Sequence, residues 1–156
     1  MDEKKLLKYA VDYLSKYDSS KKNLVIVLKR KILRLNVTNI EKKKLIDIIE
    51  SIIFKLEKNK FIDDDRYSSI KILSLSNSGK SKNFIFNYLI KKGVNKTQIQ
   101  NNLNLMQQDN DNWELNSAKI FAKKKKLLEK DQSYEKNLAK MARAGFSYDI
   151  CKKILG

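Results

Sequence analysis

The sequence of 156 residues contains no proline and only four glycines. These two residue types mark most of the tight turns of β-sandwiches, β-barrels and dinucleotide-binding folds. Their scarcity favours helix as the main secondary structure, because few residues are present that would interrupt one. The length suits one compact domain or a short array of helical repeats.

Histidine is absent as well. Its absence removes the commonest metal ligand, the commonest general base and the Ser-His and Cys-His pairs of nucleophilic catalysis. The sequence also shows no acids grouped to line a pocket and no nucleophile beside a base. We therefore expect a protein that is not an enzyme and that needs neither a metal nor another cofactor.

The chain has a single cysteine, Cys151, which cannot form an intrachain disulfide. No stretch of about 18 or more apolar residues and no signal-like start are present. We expect a reducing, cytoplasmic location without a membrane partner. Cys151 follows Ile150 in the last predicted helix, where a buried small apolar side chain is its ordinary role.

Acidic residues are few in comparison with basic ones. The chain has 34 Lys and Arg against 18 Asp and Glu, a formal net charge of +16. This excess is larger than solubility requires and predicts a polyanionic partner. Hydrophobic residues make up 42% of the chain, which is enough for a folded core.

Apolar residues recur along the chain with the 3.6-residue period of an α-helix. Residues 24–28 alone resemble a strand, but their Lys-rich flanks favour a helix that Ser19 or Ser20 caps. The helix that starts near Asp63 is expected to bury Tyr67, Ile70 and Leu73. Nine helices are predicted in all, with stripes within 6–14, 24–32, 45–56, 67–73, 85–89, 99–106, 113–122, 138–141 and 150–155.

Three junctions between helices share one pattern of residues. Leu89, Gly93, Val94 and the capping Asn95 match, offset by offset, a second set: Met141, Gly145, Phe146 and the capping Ser147. The first copy has Asn36 where the others have glycine, at a position where we expect a positive φ. Such a recurrence predicts three-helix modules of about fifty residues.

The predicted fold is therefore all-α, a tandem array of three three-helix repeats that forms an elongated, curved solenoid. The repeats are expected at residues 1–60, 61–110 and 111–156. The third helix of the first repeat is expected to be about two turns longer than its counterparts.

Three segments of the chain are distinctive: residues 61–67, 79–93 and 141–150. They resemble the RecX family of RecA regulators, and the resemblance covers nearly the whole chain. Residues 61–67 (FIDDDRY) are similar to the family's apolar-apolar-Asp-Asp-x-Arg-aromatic signature, and Gly79 to Gly93 to its glycine-bounded segment. Residues 141–150 (MARAGFSYDI) resemble its closing Arg-x-Gly-Phe-Ser-aromatic-Asp element. Ser81 replaces the second glycine of the family pattern, and Asn83 and Phe84 stand where basic residues are usual. The motif residues are Asp63, Asp64, Tyr67, Gly93, Trp113, Gly145, Phe146 and Ser147.

The resemblance implies a protein that lies in the groove of the RecA–DNA filament and bridges neighbouring protomers. It implies inhibition of ATP turnover, strand exchange or filament growth in homologous recombination and the SOS response. The expected partners are the RecA filament and single- or double-stranded DNA, and we expect the chain itself to be a monomer. The alternative is a general basic helical DNA-binding protein without specificity for RecA, which the same charge supports.

Basic residues recur around the second and third repeats and are the candidates for contact with RecA or DNA. Four consecutive lysines at 123–126 fit the family, but consecutive helical residues point all round the axis, so a solvated helix face explains them equally well. The candidate residues are Arg66, Lys80, Lys82, Lys91, Lys92, Lys123, Lys124, Lys125, Lys126, Lys140, Arg143, Lys152 and Lys153.

The acidic run Asp63, Asp64 and Asp65 suggests a metal site at first sight. Adjacent acids that open a helix are more simply a cap and a complement to the helix dipole. We expect this structural role, with Arg66 as an ion-pair partner.

Two other features invite a nucleotide-binding interpretation. Residues 78–81 (SGKS) resemble part of a phosphate-binding loop, but the first glycine of that motif would fall at Ser74, and a helix precedes the segment instead of a strand. Trp113, Tyr88 and Phe146 could stack on bases, yet their helical spacing favours packing in cores and repeat junctions. We expect packing.

Overall fold

The computed structural model describes residues 1–129 and 133–156, so a small part of the predicted third repeat lies outside the described residues. Within those two ranges the regular secondary structure is entirely helical. All nine predicted helices are present, and the third is divided in two. The helices are α1 (Glu3–Lys16), α2 (Lys21–Leu33), α3 (Asn39–Asp47), α4 (Ile49–Lys58), α5 (Asp64–Asn77), α6 (Lys82–Lys91), α7 (Lys96–Asp109), α8 (Trp113–Lys124), α9 (Tyr134–Arg143) and α10 (Tyr148–Leu155).

The break in the third predicted helix falls at Ile48, which ends α3 and precedes α4. The Ile48 N–H donates to the Leu45 carbonyl, three residues back, at 3.3 Å. The Ile52 N–H then donates to the Ile48 carbonyl at 3.1 Å, which restarts the α-helical pattern. A single 3₁₀-type turn thus interrupts the helix without proline or glycine. The extra length expected here is real, but it is divided between two helices.

The chain divides into two compact units. The first comprises Met1–Tyr67 and Lys92–Val94, and the second comprises Ser68–Lys91 and Asn95–Gly156. The division into repeats at 1–60, 61–110 and 111–156 stays a prediction.

The core of the first unit is built from α1 to α4. Leu24, Leu28 and Ile32 lie one turn apart on α2 and are fully buried, which confirms the helical interpretation of residues 24–28. Burial of such a side chain contributes about 1.5–3 kcal/mol. They pack with Leu6, Ala10, Leu45, Ile49, Ile52, Leu56 and Ile62.

A second core lies among α8, α9 and α10. Small residues on α8, Ala118 and Ala122, are fully buried there beside Met141 and Cys151. Burial raises the pKa of the Cys151 thiol, as expected for a packing residue that has left water. Trp113 and Phe146 are 3% and 4% exposed, so the prediction that they pack in the interior is confirmed.

Helix α5 buries a different face from the one that the sequence predicted. Ile70 and Leu73 are 44% and 57% exposed, whereas Ser68, Ile72 and Ser76 are buried. The expectation for Ile70 and Leu73 was wrong because small serines share the buried stripe. Ser76 satisfies its hydroxyl within the helix, where Oγ donates to the Leu73 carbonyl at 2.9 Å.

The two glycine junctions are confirmed, and the asparagine junction is not. Gly93 and Gly145 have φ of +81° and +97°. Asn36 is not among the described residues with positive φ. Helix α2 already ends at Leu33, and the intervening residues reach the cap of α3, Thr38, without a left-handed residue.

Two lysines adopt the left-handed conformation that favours glycine. Lys60 has φ of +61° and Lys126 has φ of +57°. The residue after each lysine donates its N–H to the carbonyl five residues earlier. The Phe61 N–H donates to the Leu56 carbonyl and the Leu127 N–H to the Ala122 carbonyl, both at 2.9 Å. Both therefore end a helix in the hydrogen-bonding pattern of a Schellman cap.

Candidate partner-binding surface

A buried serine joins distant parts of the first unit. The Ser20 hydroxyl caps α2 by accepting the Asn23 N–H at 3.2 Å. The same hydroxyl donates to the Lys92 carbonyl oxygen at 2.5 Å, across 72 residues of sequence. Of the two serines predicted as caps, Ser20 is the one that forms this joint.

The second unit contains the same arrangement around Ser81. The Ser81 hydroxyl caps α6 by accepting the Phe84 N–H at 3.0 Å. It donates to the Ala144 carbonyl oxygen at 2.7 Å, 63 residues away. Ser81, which departs from the family's glycine, is therefore a fully buried cap and joint residue.

An acid completes each joint at the next amide of the capped helix. The Lys21 N–H donates to Asp64 Oδ1 at 2.8 Å, and the Lys82 N–H donates to Glu114 Oε2 at 2.8 Å. Burial raises the pKa of Asp64, and the Lys21 N–H opposes that rise. The carboxylates lie at helix N-termini, where the dipole favours negative charge.

The junction glycines allow the close approach that each joint needs. A Cβ on Gly145 would lie 2.5 Å from Ser81 Oγ, and one on Gly93 would overlap the Lys22 side chain. The glycines are thus required for space as well as for positive φ.

The acidic run has the structural role predicted for it. Asp63 Oδ1 accepts the backbone N–H groups of Asp65 and Arg66 at 2.9 and 3.1 Å, while Asp64 belongs to the first joint. Arg66 itself donates to the Lys60 carbonyl at 3.4 Å. Within the described ranges, no three His, Cys, Asp or Glu side chains are grouped to hold a metal ion.

A groove on α6 brings candidate residues together in the second unit. Lys91 and Arg143, which end α6 and α9, line the same cavity of about 270 Å³. Phe84 also lines this cavity, and Lys80 Nζ lies 4.7 Å from the centroid of its ring. We call this cavity the α6 groove; its lining residues are Asn83, Phe84, Asn87, Tyr88, Lys91, Arg143, Ala144 and Gly145.

An aromatic pair forms the apolar part of the α6 groove. The rings of Phe84 and Tyr88 lie nearly parallel, with centroids 6.4 Å apart and planes inclined by 22°. Phe84 is 39% exposed, and Tyr88 is half-buried. The helical spacing predicts packing for Tyr88, and Phe84 is a departure from the family pattern. The signal in the sequence that points to the aromatic pair is the one-turn spacing of the two rings, with an asparagine before each.

A larger cavity of about 670 Å³ also lies within the second unit. Lys82, Glu114 and Ser147, the cap of α10, line it. Its other lining residues include Phe86, Leu103 and four side-chain amides. Of the candidate cations, this cavity therefore contains Lys82 beside the acid of the second joint.

The lysines at 123–126 do not form one stretch of helix, which corrects the prediction. Helix α8 ends at Lys124, Lys125 is its C-cap, and Lys126 has a positive φ. Lys124 Nζ donates to the Ser78 carbonyl at 3.1 Å. All four lysines are exposed, so they lie at the surface, but they do not lie on one face of a helix.

The remaining candidate cations lie outside the α6 groove. Lys140 is in the last turn of α9, and Lys152 and Lys153 are in that of α10, where cations complement the helix dipole. Lys152 Nζ also lies 5.3 Å from the centroid of the Tyr148 ring. Lys92, in the first unit, supplies the joint carbonyl through its backbone.

The segment that resembled a phosphate-binding loop is used by the fold. Gly79 has φ of +90° and ends α5, and a Cβ there would lie 3.0 Å from the Phe121 nitrogen. The next carbonyl, that of Lys80, accepts the Ser117 hydroxyl at 2.5 Å. Across the described part of the chain, no helix is both long and apolar enough to span a membrane.

A comparison with known proteins supplies the family. No protein-family model matches the chain. The regulatory protein RecX of Myxococcus xanthus strain DK1622 is 30% identical over 154 residues, which cover 94% of this chain and 81% of that protein. The chain belongs to the RecX family.

Solved structures confirm the RecX fold. A crystal structure of RecX from Lactobacillus salivarius matches with a TM-score of 0.70 at 23% identity, over 97% of this chain and 93% of that one. A second crystal structure, of a regulatory protein RecX, matches with a TM-score of 0.69 at 21% identity, over 96% and 70%. The predicted all-helical repeat fold is therefore confirmed.

The RecX-like segments of this chain have clear structural roles. Asp64 in residues 61–67 is the acid of the first joint, and Tyr67 in the same segment is 5% exposed. In residues 141–150, Gly145 belongs to the second joint and Ser147 caps α10. The segments that carry the resemblance to RecX thus contain residues that hold the helices together.

Proposed function

We propose that this chain binds the RecA–DNA filament and restrains it, mainly by inhibiting RecA ATP hydrolysis, strand exchange and filament growth. The observation that carries the proposal is the relationship to a regulatory protein RecX along 94% of the chain. The setting is homologous recombination and the SOS response in the cytoplasm.

The charge of the chain supports a polyanionic partner. The net charge of +16 attracts a filament that contains DNA, and the attraction falls as salt rises. The α6 groove adds a local reason, because Lys91 and Arg143 line it and none of its described lining residues is acidic. The positive charge of this groove therefore suits a negatively charged phosphate backbone.

Restraint needs binding alone and no catalytic residue. A protein that contacts neighbouring protomers of a filament opposes any change in their spacing, as far as its own helices resist deformation. In this chain, the buried Ser20 and Ser81 hydroxyls hold helices together within each unit. Such joints suit a brace on a polymer whose protomers change during ATP turnover.

Co-sedimentation tests the proposal against general DNA binding. The chain is mixed with the cognate RecA on single-stranded DNA, in parallel with the same DNA alone, over a range of salt concentrations. We expect it to pellet with the RecA filament at salt concentrations where it no longer binds bare DNA. Equal binding to filament and bare DNA at every salt concentration would contradict the proposal and favour a general DNA-binding protein.

A further inference from the structure

The α6 groove has features that attraction to phosphate alone does not require. Phe84 and Tyr88 present nearly parallel rings along one cavity, and Phe84 is 39% exposed. Apolar rings contribute little to the binding of a phosphate. They provide instead a surface on which the π-face of a nucleobase can stack.

The positive charges lie where a strand would carry its phosphates. Lys91 and Arg143 line the cavity beside the rings. Lys80 Nζ lies over the Phe84 ring, 4.7 Å from its centroid, so a base that stacks on that face takes the place of this flexible side chain. Aromatic rings interleaved with cations are the usual composition of single-strand binding grooves. Double-stranded DNA keeps its base faces stacked in the helix, so the rings of the groove favour an unpaired strand.

Two amides complete the set of groups that a base requires. Asn83 and Asn87 each precede one ring and line the same cavity. A side-chain amide carries both a donor and an acceptor, which suits the hydrogen-bonding edge of an unpaired base. Rings for the base faces and amides for the base edges thus lie in one groove.

We infer that the α6 groove binds single-stranded DNA by stacking a base on Phe84 and Tyr88, with Lys91 and Arg143 on the flanking phosphates. The inference rests on the proposed function for the source of the strand, which is the DNA of the RecA filament. It gives the contact a chemistry beyond charge: removal of the bases weakens binding even when every phosphate is kept.

The test compares oligothymidylate with an abasic oligonucleotide of equal length, by fluorescence anisotropy with the full chain. The wild type is expected to bind oligothymidylate at least about fivefold more tightly. Phe84→Leu keeps an apolar side chain but removes the ring. It should lower affinity for oligothymidylate to about that for the abasic strand, and leave abasic binding unchanged.

A matched control comes from another exposed phenylalanine. Phe54 on α4 is 67% exposed and lies in the other unit. Phe54→Leu should leave both affinities at the wild-type value. If it lowers base-dependent binding as much as Phe84→Leu does, the assignment to the α6 groove is overturned.

Salt dependence separates the rings from the cations. Lys91→Gln and Arg143→Gln should each reduce the slope of log affinity against log salt by about 0.7, the value for one phosphate contact on a single strand. Phe84→Leu should leave the slope unchanged. Unchanged slopes in both charge variants would contradict the phosphate contacts.

The result can be distinguished from a failure of the proposed function. If the wild type binds both oligonucleotides equally, base stacking is wrong, even where the chain still restrains the RecA filament. If base-dependent binding is lost in Phe84→Leu but the wild type has no effect on RecA, the groove assignment stands and the proposed function fails.

Discussion

Ser81 donates its hydroxyl hydrogen bond to the Ala144 carbonyl at 2.7 Å, while it accepts the Phe84 N–H at the start of α6. The Ser20 hydroxyl does the same in the other unit, where it donates to the Lys92 carbonyl. In both places the accepting carbonyl immediately precedes a glycine with positive φ. The same joint therefore occurs twice in the chain, and its stability can be tested twice.

Loss of either joint hydroxyl should destabilise the fold. Ser81→Ala and Ser20→Ala each remove a helix cap and leave a carbonyl without its donor, so we expect a cost of about 1–3 kcal/mol in the free energy of unfolding. Urea denaturation followed by circular dichroism measures this cost. Thr38→Ala is the control, because Thr38 caps α3 through an exposed hydrogen bond to the Glu41 N–H. It should cost about 1 kcal/mol or less.

Removing a glycine from one left-handed position and introducing a glycine at another should change the stability of the fold in opposite directions. Gly145→Ala places a Cβ at φ of +97° and against Ser81 Oγ, and should destabilise the fold by about 1–3 kcal/mol. Lys60→Gly relieves a left-handed lysine at φ of +61° and should stabilise the fold by up to about 1 kcal/mol. Thermal unfolding of the two variants beside the wild type measures both signs. Destabilisation by Lys60→Gly would show that its side chain contributes more than its backbone conformation costs.

The acid of the first joint should be replaceable by an amide but not by alanine. Asp64→Asn keeps an oxygen acceptor for the Lys21 N–H and removes a buried charge. Asp64→Ala removes the acceptor and should destabilise the fold by about 1–3 kcal/mol. We expect Asp64→Asn to be at least as stable as the wild type at pH 7. Equal destabilisation by both variants would show that the negative charge itself is needed.

The same residue predicts a pH dependence with a definite sign. Burial raises the pKa of Asp64 above its usual value of 3.8. The folded chain therefore favours the protonated carboxyl. The contribution of this preference to the free energy of unfolding is fully present below pH 3.8 and is lost as pH rises through the pKa of the folded state. A titration of the Asp64 carboxyl carbon by NMR should show the raised midpoint. In Asp64→Asn, this contribution to the pH dependence of unfolding should disappear.

Much of the fold could be predicted from local patterns in the sequence. The spacing of Leu24, Leu28 and Ile32 indicated a helix, and Gly93 and Gly145 marked junctions, because each signal lies within a few residues of its effect. The buried face of α5 could not be predicted this way. Ser68 and Ser76 are buried, and a serine carries no apolar signal.

The candidate surface was predictable in composition but not in arrangement. The excess of lysine predicted a polyanionic partner. Among the described candidate cations, however, only Lys91 and Arg143 line the α6 groove together, across 52 residues of sequence. The left-handed conformation of Lys126 likewise depends on how α8 ends. Residues that are distant in sequence come together through tertiary packing, which the spacing of residues along one sequence does not predict.

Restraint of the RecA filament should be visible in the rate of ATP hydrolysis by the cognate RecA on single-stranded DNA. The chain is titrated into this reaction at a salt concentration where its binding to bare DNA is weak. We expect inhibition at or below a one-to-one ratio of the chain to RecA. An unchanged rate until the DNA itself is saturated with the chain would contradict it.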